Sequence, residues 1–424
     1  MSWREDISRF QQGSRKRNIP TNIGDLLSDE RMLTELLTKI YGHKEEDVRS
    51  IALQPLSPGS DITGNLSDSG RLRLLVKLKS GQKCGYHWFV KVQPQPKTHE
   101  NAKLVAELNL FQNEIEFYQK VAPEIKAFVE QNIEGEKVLF DIPELIHADI
   151  DEEGAIIILE DLVSQGYKQA RDEQGEKFLS LEKALLSVSS MAKLQAASYA
   201  LQVKKNIDLG QTHPILKVSA LLWTNEEMMA RLSALTDYYC EVLRESRHQD
   251  SPALIERFRK AFNSPENLKE LCRLRLVGDD KRENISCLQQ GDFHFNNLMF
   301  LEEAGQTKVK VVDWQMAYNG KAGGDIAYLL MSSISPALYE AQEEIIKAKY
   351  FEEFNNTFYS LVEKGEGSWW TTEGRVENML EKDYKDSLAL GFLFSCGNVV
   401  QNERERAVSF AYMLCNEAAH KNLI

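Results

Sequence analysis

From Asp25 the chain places Leu26, Leu27, Met32, Leu33, Leu36, Leu37 and Ile40 at the spacing of one helical face, which predicts an amphipathic helix up to about residue 46. The pattern then changes. Ile51-Ala-Leu53 leads into a polar, glycine-rich stretch, PLSPGSDITGNLSDSG (55–70). RLRLLVKLK (71–79) and YHWFVKV (86–92) follow, separated by Ser80-Gly-Gln82. They predict two strands of a hairpin. Residues 104–121, LVAELNLFQNEIEFYQKV, carry an apolar helical stripe. Ala155-Ile-Ile-Ile-Leu159 is a short apolar strand that ends in Glu160-Asp161-Leu162. Beyond it the period is helical over 181–203, 215–245, 252–275, 335–363 and 382–420. One β-rich interruption, 288–314, holds a hairpin made of Leu298–Leu301 and Lys308–Trp314. The layout is α+β. A β-rich part with one prominent helix, residues 1–161, precedes a mainly helical part, residues 162–424.

Within the interruption lies LQQGDFHFNNLMF (288–300), which sets Asp292 and two asparagines between apolar ends. Gly, Asp and Asn cluster in ordinary turns because they tolerate unusual backbone angles. The neighbouring hairpin offers a second reading. Asn297 stands where the hairpin begins and Asp313 where it ends, so pairing of the strands makes them neighbours. An amide oxygen and a carboxylate beside a third residue, Asp292, suit Mg²⁺, which takes few protein ligands and keeps waters and phosphates. Phosphoryl transfer uses such parts: an Asp as base, an Asn and an Asp on the metal, and a Lys on the phosphates held by a helix Glu. Lys91 sits inside the strand YHWFVKV, where simple alternation into water is the bland alternative. Glu114 borders the apolar face of the following helix, with Glu116 as the other candidate partner. The polar stretch 59–70, with Gly64, Asn65 and Ser67, is either a plain loop or a cover whose N–H groups meet phosphates. It is neither G-x-G-x-x-G nor a Walker loop.

Net charge is −13, which disfavours non-specific nucleic-acid binding. It says little about a phosphate pocket screened by local cations. The six cysteines form no C-x-x-C pair, so no zinc or redox motif is present. The first residues, MSWREDISRFQQGSRKR, lack the apolar run of a secretory signal. The longest apolar stretch, 388–400, is too short to span a bilayer. These features predict a cytoplasmic enzyme or binding protein. They do not specify an oligomeric state.

Taken together the motifs resemble the ecdysteroid kinase-like family, within the aminoglycoside phosphotransferase and choline kinase superfamily. The matching pieces are Gly64-Asn-Leu-Ser67, Lys91, Phe111-x-x-Glu114-x-x-Phe117-Tyr118, Leu159-Glu-Asp-Leu162 with Gly166-Tyr167, Gly291-Asp-Phe-x-x-x-Asn297, Asp313-Trp-Gln315 and Gly324-Asp-Ile-Ala-Tyr-Leu329. The resemblance implies a bilobal protein-kinase-like fold, with a small antiparallel-sheet lobe and a larger helical lobe. It implies ATP and Mg²⁺: adenine against backbone groups near Glu160, Asp161 and Leu162, the α- and β-phosphates on Lys91 paired with Glu114, Asp292 as base, and Asn297 and Asp313 on the metal. Asp325 is expected to brace the catalytic loop. The implied partner is a small-molecule alcohol, steroid-like, lipid or specialised metabolite. An amino-alcohol of the choline or aminoglycoside type is the alternative. So is a nucleotide-binding pseudokinase acting as an interaction module. Two positions depart from the family pattern: Gln290 and Gln195 stand where His is usual. A glutamine offers both a donor and an acceptor, as neutral His does, but takes no positive charge.

A protein kinase fits poorly. H-R-D, D-F-G and A-P-E are absent, and few residues separate Asp313 from Asp325, too few for a peptide-binding activation loop. Trp223, Tyr238, Tyr239, Trp369 and Trp370 are candidates to line an acceptor pocket, or plain core residues. His213 and His294 are candidate polar contacts.

Overall fold

Alternation along RLRLLVKL sends Leu72, Leu74 and Val76 to one side of a strand, and Trp88, Val90 and Val92 follow the same rule on the next. A computed structural model shows what they pack against. It describes residues 22–28, 30–44, 47–56, 67–94, 102–133, 140–152, 154–170, 178–221, 226–262, 264–273, 284–362, 374–400, 404–421 and 423–424. The helices α1 (Ile23–Ser28) and α2 (Glu30–Tyr41) set Leu26, Leu33, Leu36 and Leu37 against those six strand residues, together with Ile156 and Ile158. At about 25 cal/mol per Å² of apolar surface, such a cluster is the main stabilising element of this region.

Two compact units make up the chain. The first contains a five-stranded sheet in the order β1-β2-β3-β5-β4, all neighbours antiparallel. Its strands are β1 (Val48–Leu56), β2 (Asp68–Leu78), β3 (Lys83–Val92), β4 (Leu145–Ile150) and β5 (Ala155–Glu160). The expected hairpin is β2–β3, and the apolar run 155–159 is β5. The sequence pattern does not announce β4, and it gave only the core of β1 as Ile51–Leu53. The helix expected over 104–121 is broken. Ala102–Glu107 (α3) and Leu110–Glu116 (α4) are separated by Asn109, whose φ is +52°, and Phe117–Val121 forms a π-turn. Apolar periodicity carries through such a break because each segment still buries the same side.

The second unit is mainly helical, as expected, but the helical windows subdivide. Residues 215–245 resolve into Pro214–Leu221 and Glu226–Glu245, and 252–275 into Ser251–Phe262 and Pro265–Arg273. The window 382–420 begins earlier and is two helices, Arg375–Val400 and Arg404–His420. The long helix Leu181–Lys205 carries Gln195, Ser198 and Gln202 as buried polar residues. Ser198 and Gln202 hold a short ribbon of two strands, Ser286–Gln289 and Tyr318–Lys321. The Leu288 N–H donates to Ser198 Oγ at 2.9 Å, and Gln202 Nε2 donates to the Ser286 carbonyl at 2.8 Å. The expected hairpin is present as Leu298–Glu303 and Gln306–Val311, turned at Ala304 and Gly305, both with positive φ, and Met299–Gly305 of it group with the first unit. Its second strand stops before Asp313, because Asp313 takes φ +61° and Trp314–Met316 turn as a 3-10 helix. Among the described residues no helix is long and apolar enough to cross a membrane.

Candidate functional site

In the first unit the central strand β3 puts Lys91 on the sheet face opposite Trp88, Val90 and Val92. That face is also covered, so Lys91 is 6% exposed and not turned to water. Its Nζ donates to Glu114 Oε2 at 2.5 Å, and Glu114, on α4, is 1% exposed. Glu116 turns away and takes Lys120 at 2.8 Å. Removing one member of so close a buried pair costs about 3–5 kcal/mol. Ser67, at the start of β2, is buried. Gly64 and Asn65 lie outside the described residues.

Past β5, Glu160 and Asp161 are both engaged through their side chains. Glu160 accepts from the Glu144 N–H at 2.9 Å and from Gln165 Nε2 at 2.7 Å. Asp161, 2% exposed, takes Arg71 in a two-pronged pair, Nε to Oδ1 and a guanidinium nitrogen to Oδ2, each 2.9 Å, and also accepts the Ser164 hydroxyl. Leu162 opens a 3-10 turn that closes with the Tyr167 N–H on the Leu162 carbonyl at 3.0 Å. The carboxylates of Glu160 and Asp161 therefore build the turn. The partners Arg71 and Ser164 escaped the sequence reading. Their signal was an Arg on the strand face opposite Leu72 and Leu74.

Burial alone would raise the Asp161 carboxyl, but the hydrogen bonds and charge of Arg71 and the Ser164 hydroxyl outweigh it and hold it below the usual carboxylate range. A depressed value in the folded state gives stability that is present above the unfolded pKa and lost as pH falls through the folded one. The stability gap between wild type and Asp161→Asn is expected to stay constant above about pH 5 and to narrow on acidification below about pH 4. Denaturant melts at stepped pH measure it. Parallel curves down to pH 2 would contradict the assignment.

In the second unit the loop that carries Asp292 is held from three sides. Gly291 has φ +89°, and a Cβ there would come within 2.1 Å of the Met316 carbonyl oxygen, so no other residue fits without moving backbone. Asp325, 2% exposed, accepts the Gln290 N–H at 2.7 Å, the Gly291 N–H at 3.0 Å and Gln195 Nε2 at 2.9 Å. Gln195 is kept in place by the Tyr350 hydroxyl. Asp325 thus braces the loop, as the sequence reading expected, and Gln195 does the bracing expected of the usual His.

Gln290 uses both ends of its amide. Its Oε1 accepts the Asp292 N–H at 2.7 Å, and its Nε2 donates to the carbonyls of Asp313 at 2.6 Å and Val312 at 3.1 Å. Asn297 Nδ2 donates to the Asp292 carbonyl at 2.8 Å and to its Oδ2 at 3.2 Å. The Val312 N–H donates to the Asn297 carbonyl at 2.9 Å. Asp292, Asn297 and Asp313 are therefore gathered by one hydrogen-bonded framework. The Asn297 side-chain oxygen has no partner among the described residues. An amide oxygen and two carboxylates are hard oxygen donors, the residue types that would suit Mg²⁺. Among the described residues no group of three or more His, Cys, Asp or Glu side chains is placed to hold a metal ion. A set of two carboxylates and one amide suits a cation that shares its shell with phosphate.

His294 is buried and its Nε2 lies 3.6 Å from Asp292 Oδ2, too far for a hydrogen bond. His213 lies away from this loop in sequence and pairs with Glu124 at 2.9 Å. Tyr239 is fully buried and donates to the Ala411 carbonyl at 2.8 Å, which makes it a core residue. Trp223, Trp369 and Trp370 lie outside the described residues.

The sequence profile of the ecdysteroid kinase-like family matches residues 66–362. A comparison with curated proteins returned no match. Among solved structures, a microcompartment-associated aminopropanol kinase is 10% identical with a TM-score of 0.36, covering 93% of this chain and 99% of the other. An ethanolamine kinase from Plasmodium vivax is 12% identical with a TM-score of 0.38, covering 99% and 95%. The GDP and kanamycin complex of an aminoglycoside phosphotransferase, APH(2″)-IIIa, is 12% identical with a TM-score of 0.38, covering 92% and 99%. Likenesses this remote assign no role to any residue.

Proposed function

The chain belongs to the ecdysteroid kinase-like family, and on that premise we propose that it is an ATP-dependent kinase that transfers the γ-phosphate to a hydroxyl group of a small alcohol. The observation that carries this reading is the framework around Asp292, Asn297 and Asp313. A turn made only for its backbone would not need Gln290 and Asn297 to tie Asp292 and Asp313 together.

Asp292 accepts the proton of the acceptor hydroxyl as it attacks phosphorus. Gln290 and Asn297 fix the loop from both sides, so the carboxylate is positioned before substrate arrives. Asn297 and Asp313 are the residues that would hold Mg²⁺, which when bound neutralises phosphate charge. In the first unit, Lys91 binds the α- and β-phosphates, and Glu114 keeps its ammonium aimed. Ser67, with Gly64 and Asn65, supplies the phosphate cover, and backbone groups of Glu160 to Leu162 meet adenine. The protein acts in the cytoplasm on this reading.

The test is Mg²⁺-dependent ATP turnover against a library of alcohols, with Asp292→Ala as control. Loss of a general base typically costs about 10²- to 10⁴-fold in rate, and that drop is the expected result. A wild-type protein that phosphorylates no alcohol, or a variant that keeps pace with it, would leave a nucleotide-binding interaction module as the better reading.

A further inference from the structure

In the second unit the ribbon strand Ser286–Gln289 runs straight into the loop Gln290-Gly291-Asp292, and the residue before it, Ile285, is held from outside the ribbon. Its N–H donates to Asp383 Oδ2 at 2.8 Å, and its carbonyl accepts the Ala322 N–H at 2.9 Å. Asp383 lies on the helix Arg375–Val400. That helix sits directly on Gly323, where a Cβ would come within 2.7 Å of Tyr384 backbone atoms and 2.9 Å of the Asp383 carbonyl carbon. Asp383 thus stands where one ribbon strand ends, the other begins, and the helix Gly324–Ser333 with its brace Asp325 starts. No step of the phosphate transfer uses it.

Asp383 has no exposed surface, and its second oxygen, Oδ1, has no hydrogen-bond partner among the described residues. The buried hydroxyl of Tyr199, on the helix Leu181–Lys205, is likewise unpartnered among them. A carboxylate left bare on one side is costly to bury. Burial pushes the Asp383 carboxyl up to about 7, against the pull of the Ile285 N–H and the Lys321 and Lys382 ammonium groups, and the Asp386 charge adds to the rise. Other titratable groups face it. Burial first, and then neighbouring charges that include Asp383, raise Tyr199, Cys287 and Tyr350, and Asp325 is another of those charges at Cys287 and Tyr350. A proton on Oδ1 makes that oxygen a donor and leaves Oδ2 to accept from Ile285. The neutral carboxyl therefore holds the strand without a buried charge. The ionised one holds it only by keeping a nearly bare anion in the core.

We propose that Asp383 is a positioning residue that works through its proton: protonated, it clasps the start of the strand that leads to Asp292, and on ionisation it lets that strand loosen. A carboxyl raised by folding contributes stability that is fully present below its unfolded value and is lost as pH rises through the folded one. The protein is therefore expected to be tightest in mildly acidic solution and to loosen through neutrality, at Ile285 and the strand behind it first. The effect on turnover rests on the kinase reading, while the effects on stability and on amide exchange do not.

Denaturant melts of the full chain at stepped pH, beside Asp383→Asn, test it. The amide keeps an acceptor for the Ile285 N–H but does not ionise. Relative to wild type, the folding equilibrium constant of the variant is expected to rise at least about tenfold between about pH 5 and about pH 8. An offset that is the same at every pH is what a merely structural hydrogen bond gives, and it overturns the proposal. Amide exchange, corrected for its intrinsic pH dependence, is expected to quicken at residues 285–292 above neutrality in wild type and not in the variant; exchange that follows pH equally in both overturns it too. If circular dichroism shows Asp383→Asn unfolded, infrared spectra of wild type and Lys321→Met decide. Wild type is expected to show a protonated carboxyl that ionises near neutrality. Loss of the Lys321 charge, which favours the ionised form, is expected to move that step to higher pH. No such carboxyl, or one that Lys321→Met leaves in place, overturns the proposal. With MgATP and the best acceptor of the alcohol library, kcat is expected to fall above neutrality in wild type and to level in Asp383→Asn; a fall shared by the variant overturns the positioning role. A wild type without turnover at any pH sinks the kinase reading, and the melts still decide the clasp.

Discussion

Asp325→Ala is expected to lower stability by about 3 kcal/mol or more, because three buried donors lose their acceptor at about 1–3 kcal/mol each. Those donors are the N–H groups of Gln290 and Gly291 and the amide of Gln195. If the chain is the kinase proposed above, the same change releases the loop that carries Asp292, and phosphate transfer should fall below detection. Asp325→Asn is the graded control. An amide oxygen at the Oδ2 position still serves Gln290 and Gln195, while the amide nitrogen meets the Gly291 N–H as donor against donor. Its expected loss is intermediate. Urea melts give the stability and initial rates give the activity. A melt of the alanine variant that overlays the wild type would show that the loop does not depend on this brace.

The second large effect is expected at the Lys91–Glu114 pair. Glu114→Ala removes the carboxylate that a 6% exposed ammonium donates to, at a cost of about 3–5 kcal/mol. Lys91→Met removes the ammonium from the buried carboxylate instead, with a similar expected penalty. The double variant Lys91→Met/Glu114→Leu removes both charges, and its stability should return close to wild type, since a buried pair replaced by apolar groups is often neutral or better. Nucleotide affinity should not return with it if Lys91 binds phosphate. Calorimetric titration with MgATP decides the matter: a stable double variant that binds like wild type would reduce the pair to a structural role.

Much of this was legible in one dimension because it depends on local rules. Alternation in 71–92 gave a strand pair, and the position of Lys91 among Trp88, Phe89, Val90 and Val92 located it within a strand. The spacing of Asn297 and Asp313 about a hairpin predicted that they would be neighbours. The burial of Lys91 was not legible. A lysine on the alternate face of a strand looks the same whether that face meets water or a helix. What covers it is α4, displaced from the predicted single helix by the left-handed residue Asn109. The strands Leu145–Ile150, Ser286–Gln289 and Tyr318–Lys321 also escaped, being short and paired with partners distant in sequence.

The two glutamines show the same division. Composition tells that Gln195 and Gln290 can each donate and accept. Only the folded chain shows that one holds the carboxylate of Asp325 while the other ties the Asp292 N–H to the Asp313 carbonyl. Lys321 and Asp386 are a further case, because 65 positions separate them and no periodicity links them.

The sequence by itself determined the α+β layout, the family pattern, and the residue types of the site, since helix and strand periods and hairpin geometry act over a few residues. Tertiary structure alone decided which charges are buried and which amide braces which loop. Burial and hydrogen-bond satisfaction are properties of what packs around a group, and those neighbours arrive from distant parts of the chain.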